Sequence, residues 1–473
     1  MTGNSVMLDR SAGVLLAQAA GDALGVPYEG HSVVHGPAAM VGGGYGPYTP
    51  GEYSDDTQMA VVIEQVAATG ADLTSAAALD EIADGFIAWS QSGATDIGIH
   101  TRSALAGVAT GRGSAARLRA RVDGMYEREG RGGGNGALMR TSIVGLTALD
   151  DRDATAAAAR AVANLTHGDP LAIDPCVLWS EAVRVAVTEG RFDLLAGLDL
   201  IPAERRAEWA TWIEEATGAA PSSFTNNGYS PRALQAAWAA ITSTLHDDAR
   251  AYPCQHLQGA LQAAVHAGGD TDTVAAIAGG LLGARWGASA VPAAWRRAIH
   301  GWPYMRSSGL ARLGILTARG GKDDERGWPS TERVDYPARS LRAAHPFDEH
   351  VILGNQAALD DGWDAVVSLC RRGVAQGAAD PSQQVDVWLM DSEDPADNPN
   401  LEFVLDDTAR AIGQLRDEGH TVFVHCAHAE QRTPAVAIRY ARHLGIGPDN
   451  ARDAISAALG VTVRGYGYLW ERA

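Results

Sequence analysis

The sequence predicts a multidomain protein in which an all-α domain is followed by an α/β domain with a mainly parallel sheet. Three observations carry this. A chain of 473 residues is longer than one hydrophobic core comfortably serves, so two domains are expected. From about residue 8 to residue 317 apolar residues recur at three- and four-residue spacing, with almost no strand-like alternation. Beyond about residue 335 short β-prone runs alternate with helical ones.

In chain order, SAGVLLAQAAGDALG, TQMAVVIEQVAATG, ALDEIADGFIAWSQ and DTVAAIAGGLLGARWG read as amphipathic or buried helices. Gly- and Pro-rich loops separate them, and the long ones at 38–53 and 124–137 are where a rigid helical scaffold carries function. Residues 319–335, charged and broken by Gly and Pro, read as a linker between a first domain at 1–318 and a second at 336–473, each expected to fold alone. In the second domain HVILGNQ, AVVSLC, VDVWLM and TVFVHC alternate with VLDDTARAIGQLRDEG and TPAVAIRYARHLG, the texture of a parallel α/β sheet.

Composition narrows the function. A formal net charge of -19 excludes a broad nucleic-acid footprint, which needs many phosphates neutralised by Lys and Arg. An anionic substrate must then be held locally, by metal, backbone amides or single arginines. The four cysteines, Cys176, Cys254, Cys370 and Cys426, show no paired spacing, which fits a reducing compartment rather than a disulfide or zinc framework. No apolar run of membrane-spanning length occurs, and MTGNSVMLDR lacks the features of a signal peptide, so a cytoplasmic protein without a membrane partner is expected.

Two acidic clusters precede strong helices: Ser54, Asp55 and Asp56 in YSDDTQM, and Asp270, Asp272 and Thr273 in GGDTDTV. Residues two apart on a helix diverge by about 200°, so Asp270 and Asp272 converge only from an irregular turn, which Gly268 and Gly269 permit. Carboxylates gathered on one point repel unless cations lie between them, and hard oxygen donors imply Mg²⁺ or Mn²⁺. The competing reading makes Ser54 and Asp270 ordinary helix N-caps.

Five motifs in order, GDALGVPYEG at 21–30, SDDTQM at 54–59, GGGNGALMR at 132–140, THGDPLA at 166–172 and GGDTDTVAAIAGGLLGARWG at 268–287, resemble the ADP-ribosylglycohydrolase family over almost the whole first domain. The resemblance implies an all-α fold with two Mg²⁺ or Mn²⁺ ions held by Ser54, Asp55, Asp56, Asp270, Asp272 and Thr273. It makes Glu29 a candidate acid/base or water-orienting carboxylate, assigns Gly132, Gly133 and Asn135 to ADP-ribose contact and sets His167 beside the ligand. The Gly-rich run itself offers successive backbone amides to a pyrophosphate. The reaction implied is cleavage of the bond between ADP-ribose and a modified acceptor, on an ADP-ribosylated protein or a small ADP-riboside, through an oxocarbenium-like state.

In the second domain a β-run ends at His425 and Cys426, and after five residues Arg432 and Thr433 open a helix. Amides and the helix dipole favour a thiolate there, Arg432 can clamp two phosphate oxygens, and Thr433 can hydrogen-bond the sulfur. Residues 336–473 thus resemble the dual-specificity phosphatase family, which implies Cys426 as nucleophile, Arg432 as phosphate clamp, a phosphorylated substrate and an upstream aspartate as general acid. Asp394 has the best spacing for that acid, ahead of Asp391 and Asp397. Two residues depart from the family loop: Ala429 where many members have Gly, and the negative Glu430. The expectation is a two-activity enzyme. The alternatives are a glycohydrolase with a non-catalytic phosphate-binding module, and a hydrolase of a free ADP-ribosylated metabolite.

Overall fold

The structure, a computed structural model, describes residues 2–31, 34–92, 94–246 and 249–461, with Leu469 and Arg472. Among these, α1 (Thr2–Gly25), α2 (Asp55–Ala67), α3 (Ala76–Gln91), α4 (Ile99–Leu105), α5 (Ser114–Glu129), α6 (Arg152–Ala163), α7 (Pro170–Glu189), α8 (Ala203–Ala216), α9 (Ser230–Ser243), α10 (His256–Val265), α11 (Thr271–Trp286), α12 (Ala293–Ala298) and α13 (Ser307–Ala318) form the helical part, with a two-residue hairpin of β1 (His300–Gly301) and β2 (Met305–Arg306) before α13. No helix among the described residues is long and apolar enough to cross a membrane.

The helical part is organised around α1 and α11, both buried on nearly all sides. Gly13, Gly21 and Gly25 share one face of α1 because multiples of four return to the same side of a helix. That face lies directly on the α11 backbone. A Cβ on Gly21 would sit 2.1 Å from the Ala275 carbonyl oxygen, and one on Gly283 only 2.0 Å from that of Gly13. At the end of the contact a Cβ on Gly25 would stand 2.4 Å from the Asp272 Cα. The glycines of GDALG let two helices touch, and so bring the end of α1 to the start of α11.

The rest is a five-stranded sheet ordered β3-β4-β7-β5-β6: β3 (Arg342–His345), β4 (Asp348–Asn355), β5 (Ala365–Ser368), β6 (Gln384–Asp386) and β7 (Val422–Cys426). Only the β3–β4 pairing is antiparallel, so the sheet is mainly parallel as expected. Helices α14 (Leu401–Asp417), α15 (Arg432–His443) and α16 (Pro448–Leu459) accompany it. Strands β5 and β7 are buried throughout, which explains their unbroken apolar runs.

Buried apolar side chains gather in two large clusters, one helical and one on the sheet, but the clusters interlock. Phe403 of α14 packs into the helical cluster and Ala293 of α12 into the sheet cluster. Ser5 donates to Asp397 at 2.9 Å, the Ala293 amide to Asp407 at 2.8 Å, and Arg297 pairs with Glu418 at 2.6 Å. Residues 319–335, expected to form a polar linker, are largely exposed but are anchored at Trp328, Pro329 and Val334. Asp324 accepts from the Arg326 and Trp328 amides, so its charge closes a turn, while Trp328 and Val334 join the helical core.

Candidate active site

Three chain segments converge at the end of the α1–α11 contact. Asp22 comes from the last turns of α1, Ser54 to Asp56 open α2, and Asp270 to Thr273 open α11. Gly268 and Gly269 both adopt left-handed φ values, 72° and 73°, forming the irregular turn that the sequence requires. Gly269 also exchanges backbone hydrogen bonds with the loop after α1, accepting from Gly30 and donating to His31, each at 2.8 Å, and so fixes Glu29 beside Asp270 and Asp272.

Ser54 and Asp270 occupy N-cap positions, yet neither side chain makes the capping hydrogen bond. The α2 terminus is served from a distance: Asp22 accepts from the Ser54 amide at 2.8 Å and the Thr57 amide at 3.0 Å. This frees the Ser54 hydroxyl, which stands 2.8 Å from Asp22, 3.1 Å from Asp56 and 3.4 Å from Asp272. One hydroxyl hydrogen satisfies one of three acceptors. The remaining oxygens face one another.

Carboxylate oxygens of Asp22, Asp56 and Asp272 lie within 4.8 Å of one another, as do those of Glu29, Asp96 and Asp272, so Asp272 belongs to both sets. Among the described residues no arginine forms an ion pair with Asp22, Asp55, Asp56, Asp270 or Asp272. Burial first, then mutual repulsion, pushes Asp55, Asp56 and Asp272 well above the usual carboxylate range. Burial raises Asp22 to about 6, and burial with the Asp96 and Asp270 charges raises Glu29 to about 9. Asp56 Oδ1 is buried with no hydrogen-bond partner. An all-oxygen donor set, surplus negative charge and an orphaned carboxylate oxygen together fit hard divalent cations.

The glycine loop behaves differently from the sequence reading. The Gly132 amide is engaged by Asp169 at 2.9 Å and the Asn135 amide by the Gly228 carbonyl at 3.2 Å, so neither remains for a pyrophosphate. Gly133 lies on the Tyr229 ring, where a Cβ would come within 2.5 Å. The Asn135 side chain donates to Asp270 at 2.7 Å and to the Asn227 carbonyl at 3.0 Å, which ties this loop to the acidic cluster. His167 is buried behind the loop. Arg140 donates to the Thr166 hydroxyl at 2.6 Å, and that hydroxyl lies 2.8 Å from His167 Nδ1. The guanidinium only donates, so Thr166 accepts from Arg140, and its hydroxyl links Arg140 to the His167 ring. Burial, with the charges of His100 and Arg140, holds His167 neutral by lowering its pKa well below the usual value.

Sequence reasoning missed Asp22, Asp96 and Asn227. Asp22 had a signal, as the one acid in the apolar stretch that ends α1. Asp96 and Asn227 sit in loops and had none.

The second candidate lies at the carboxyl end of central strand β7. The Ala429 amide donates to Cys426 Sγ at 3.2 Å, and Ala429 has φ 62°, the conformation that glycine adopts most easily. Glu430 is exposed, so its charge need not enter the loop. Arg432 begins α15, donates to the Leu369 carbonyl at 2.7 Å and keeps a buried Nε without a partner. Thr433 bonds the Gly354 carbonyl at 3.2 Å rather than the sulfur. Asp391 reaches within 3.5 Å of Arg432. The Asp394 carboxylate accepts from the Ala396 amide, and Asp397 is buried against Ser5 and Ser392.

The sequence matches the ADP-ribosylglycohydrolase family over residues 4–324. It is 27% identical over 305 residues to ADP-ribosyl-dinitrogen reductase glycohydrolase of Rhodospirillum rubrum, spanning 62% of this chain and 91% of that protein. It is 28% identical over 308 residues to ADP-ribosylarginine hydrolase Tri1 of Pseudomonas putida (strain GB-1), spanning 61% and 73%. Among solved structures, an ADP-ribosylglycohydrolase-related protein complex covers 67% of this chain and 99% of its own, at 26% identity and a TM-score of 0.48. A structure described as a mouse dual specificity phosphatase with zinc tungstate covers 29% of this chain and 87% of its own, at 22% identity and a TM-score of 0.24.

Proposed function

The chain belongs to the ADP-ribosylglycohydrolase family, and from that premise we propose that its helical domain is a metal-dependent hydrolase that releases ADP-ribose from a modified arginine. The observation that carries the metal is the buried carboxylate cluster in which Asp272 is shared by two sets of ligand oxygens. Asp55, Asp56, Asp270 and Asp272, with the hydroxyls of Ser54 and Thr273, are the residues that would hold two Mg²⁺ or Mn²⁺ ions. When bound, such ions polarise sugar hydroxyls and acidify a water. Glu29, at the edge of the cluster, holds a proton for the leaving guanidine nitrogen. The half-exposed glycine loop, backed by His167, borders the rest of the nucleotide.

A phosphate-binding role for the second domain is supported by the Cys426–Ala429 contact and the position of Arg432 at the start of α15. Its thiolate would attack phosphorus while the bond to the ester oxygen breaks, Asp391 giving that oxygen its proton; water then releases phosphate from sulfur. Asp391 takes this role in preference to Asp394 because it approaches Arg432.

The test is turnover of ADP-ribosylarginine protein and of a small ADP-riboside, each with Mn²⁺ and with chelator. Release from protein that needs the metal is expected. Equal release in chelator would refute the metal reading, and release from the small riboside alone would move the substrate to a metabolite.

A further inference from the structure

Between the two cores lies a cavity of about 420 Å³ that neither candidate site accounts for. The helical part supplies Arg296 of α12 and Ser308 and Arg312 of α13, while Trp388 and Arg432 come from the sheet domain. Tyr336, just past the expected linker, lies between this space and the cysteine loop, its ring 6.2 Å from that of His428. The cavity is therefore the antechamber of the Cys426–Arg432 loop, and half its wall is made by the helical domain.

Its charge opposes that of the whole molecule. Arg296, Arg312, Arg326, Arg371, Arg372 and Arg432 line it against one carboxylate, Asp386. Asp386 is taken by Arg372 at 2.7 Å, Arg371 is held by Asp324 at 2.6 Å, and Arg296 and Arg432 stand 3.6 Å from Asp407 and 3.5 Å from Asp391. Arg312 has only the carbonyls of Pro329 and Arg372, and among the described residues no carboxylate lies within ion-pair distance of it. Burial lowers its pKa to about 10, so it stays charged at neutral pH. Three donors on lining residues, Arg296 Nε, Arg432 Nε and Trp388 Nε1, are buried with no hydrogen-bond partner. With Arg312 free of any carboxylate partner among the described residues, the wall keeps surplus positive charge, which favours an anion. Flat surfaces flank it too, with Arg371 stacked 4.5 Å over Trp328 and Arg326 4.9 Å over Tyr336. The volume fits a small molecule, not a folded polypeptide segment.

We propose that this interdomain cavity binds a nucleoside phosphate, with the phosphate toward Arg432, the planar base against the aromatic wall, and the helical domain's Arg312 selecting the nucleotide over bare phosphate.

The experiment is calorimetric titration of the full chain, metal chelated, with adenosine 5′-monophosphate and with inorganic phosphate. The nucleotide should bind about tenfold more tightly or better, a difference of about 1.4 kcal/mol. Arg312→Gln should weaken the nucleotide about tenfold and leave inorganic phosphate unchanged. Ser308→Trp, which fills the cavity from the α13 side, should do the same and decides the matter if Arg312→Gln folds poorly. A nucleotide affinity no better than that of phosphate, or one untouched by both substitutions, overturns the assignment. Absent phosphate binding with a nucleotide affinity that both substitutions weaken would support the cavity while refuting the phosphate-loop reading.

Discussion

In the helical domain buried carboxylates meet with no arginine paired to them among the described residues, whereas at the mouth of the cysteine loop six guanidiniums gather, four of them paired with an aspartate. The two arrangements are opposite in sign within a chain of net charge -19. On the proposed reading the acidic site takes its positive charge from solution, whereas the cavity wall carries guanidiniums of its own. The difference teaches that one site balances its charge with a bound cation and the other with side chains of the protein, while occupancy stabilises the fold at both.

The sharpest way to break this contrast is to remove charge from each side. Asp272→Ala, or a chelator, should cut ADP-ribosyl hydrolysis on the order of a thousandfold and leave hydrolysis of an aryl phosphate unchanged; Cys426→Ser should do the reverse. A chelator that silences both would show the two sites to be one unit. Next in size, Asp391→Asn should slow phosphate esters with poor leaving groups about a hundredfold while barely touching activated aryl esters, and Asp394→Asn should do neither. A leaving-group dependence steepened by Asp394→Asn alone returns the acid to Asp394.

Asn135→Ala should weaken Mn²⁺ binding about 10- to 100-fold by releasing Asp270, seen by titration with the metal. The pH dependence follows from the raised carboxylates. A folded pKa above the unfolded one means that the native state binds more protons, so stability falls as pH rises between the two values. Metal-free protein should therefore lose melting temperature from about pH 4 upward, through the Asp22 value of about 6 toward the Glu29 value of about 9, and Mn²⁺ should flatten that slope. An identical slope with and without Mn²⁺ would separate the cluster from the metal. The smallest effect is expected at Ala429, whose left-handed backbone Gly would relax. Ala429→Gly should stabilise by about 1 kcal/mol or less in denaturant unfolding.

What could be read in the sequence was what is local in it. YSDDTQM and GGDTDTV each hold their ligands within a few residues, and the paired glycines announce the turn. Asp22 reaches Ser54 across 32 positions, and no short motif records that pairing. The glycine loop shows the converse failure: its composition suggests free amides, but Asp169, 37 positions from Gly132, takes one of them. Residues 319–335 misled for a related reason, since the charges that look solvated close a turn that buries Trp328. Independent folding of 1–318 and 336–473 is accordingly no longer expected, because Phe403 and Ala293 each complete the other cluster.

The glycine seam between α1 and α11 also has a consequence for how the protein is made. Helix α1 leaves the ribosome long before residues 271–286 that pack on it, and at about 5–20 residues per second that wait is on the order of tens of seconds. Throughout it the nascent chain presents a helix that is apolar on every side, with Gly13, Gly21 and Gly25 uncovered. Translation pauses ahead of residue 271 prolong that state, and ones after it do not. The order of synthesis thus makes the carboxylate cluster one of the last features of the helical domain to form, and α1 the segment most dependent on a holding chaperone.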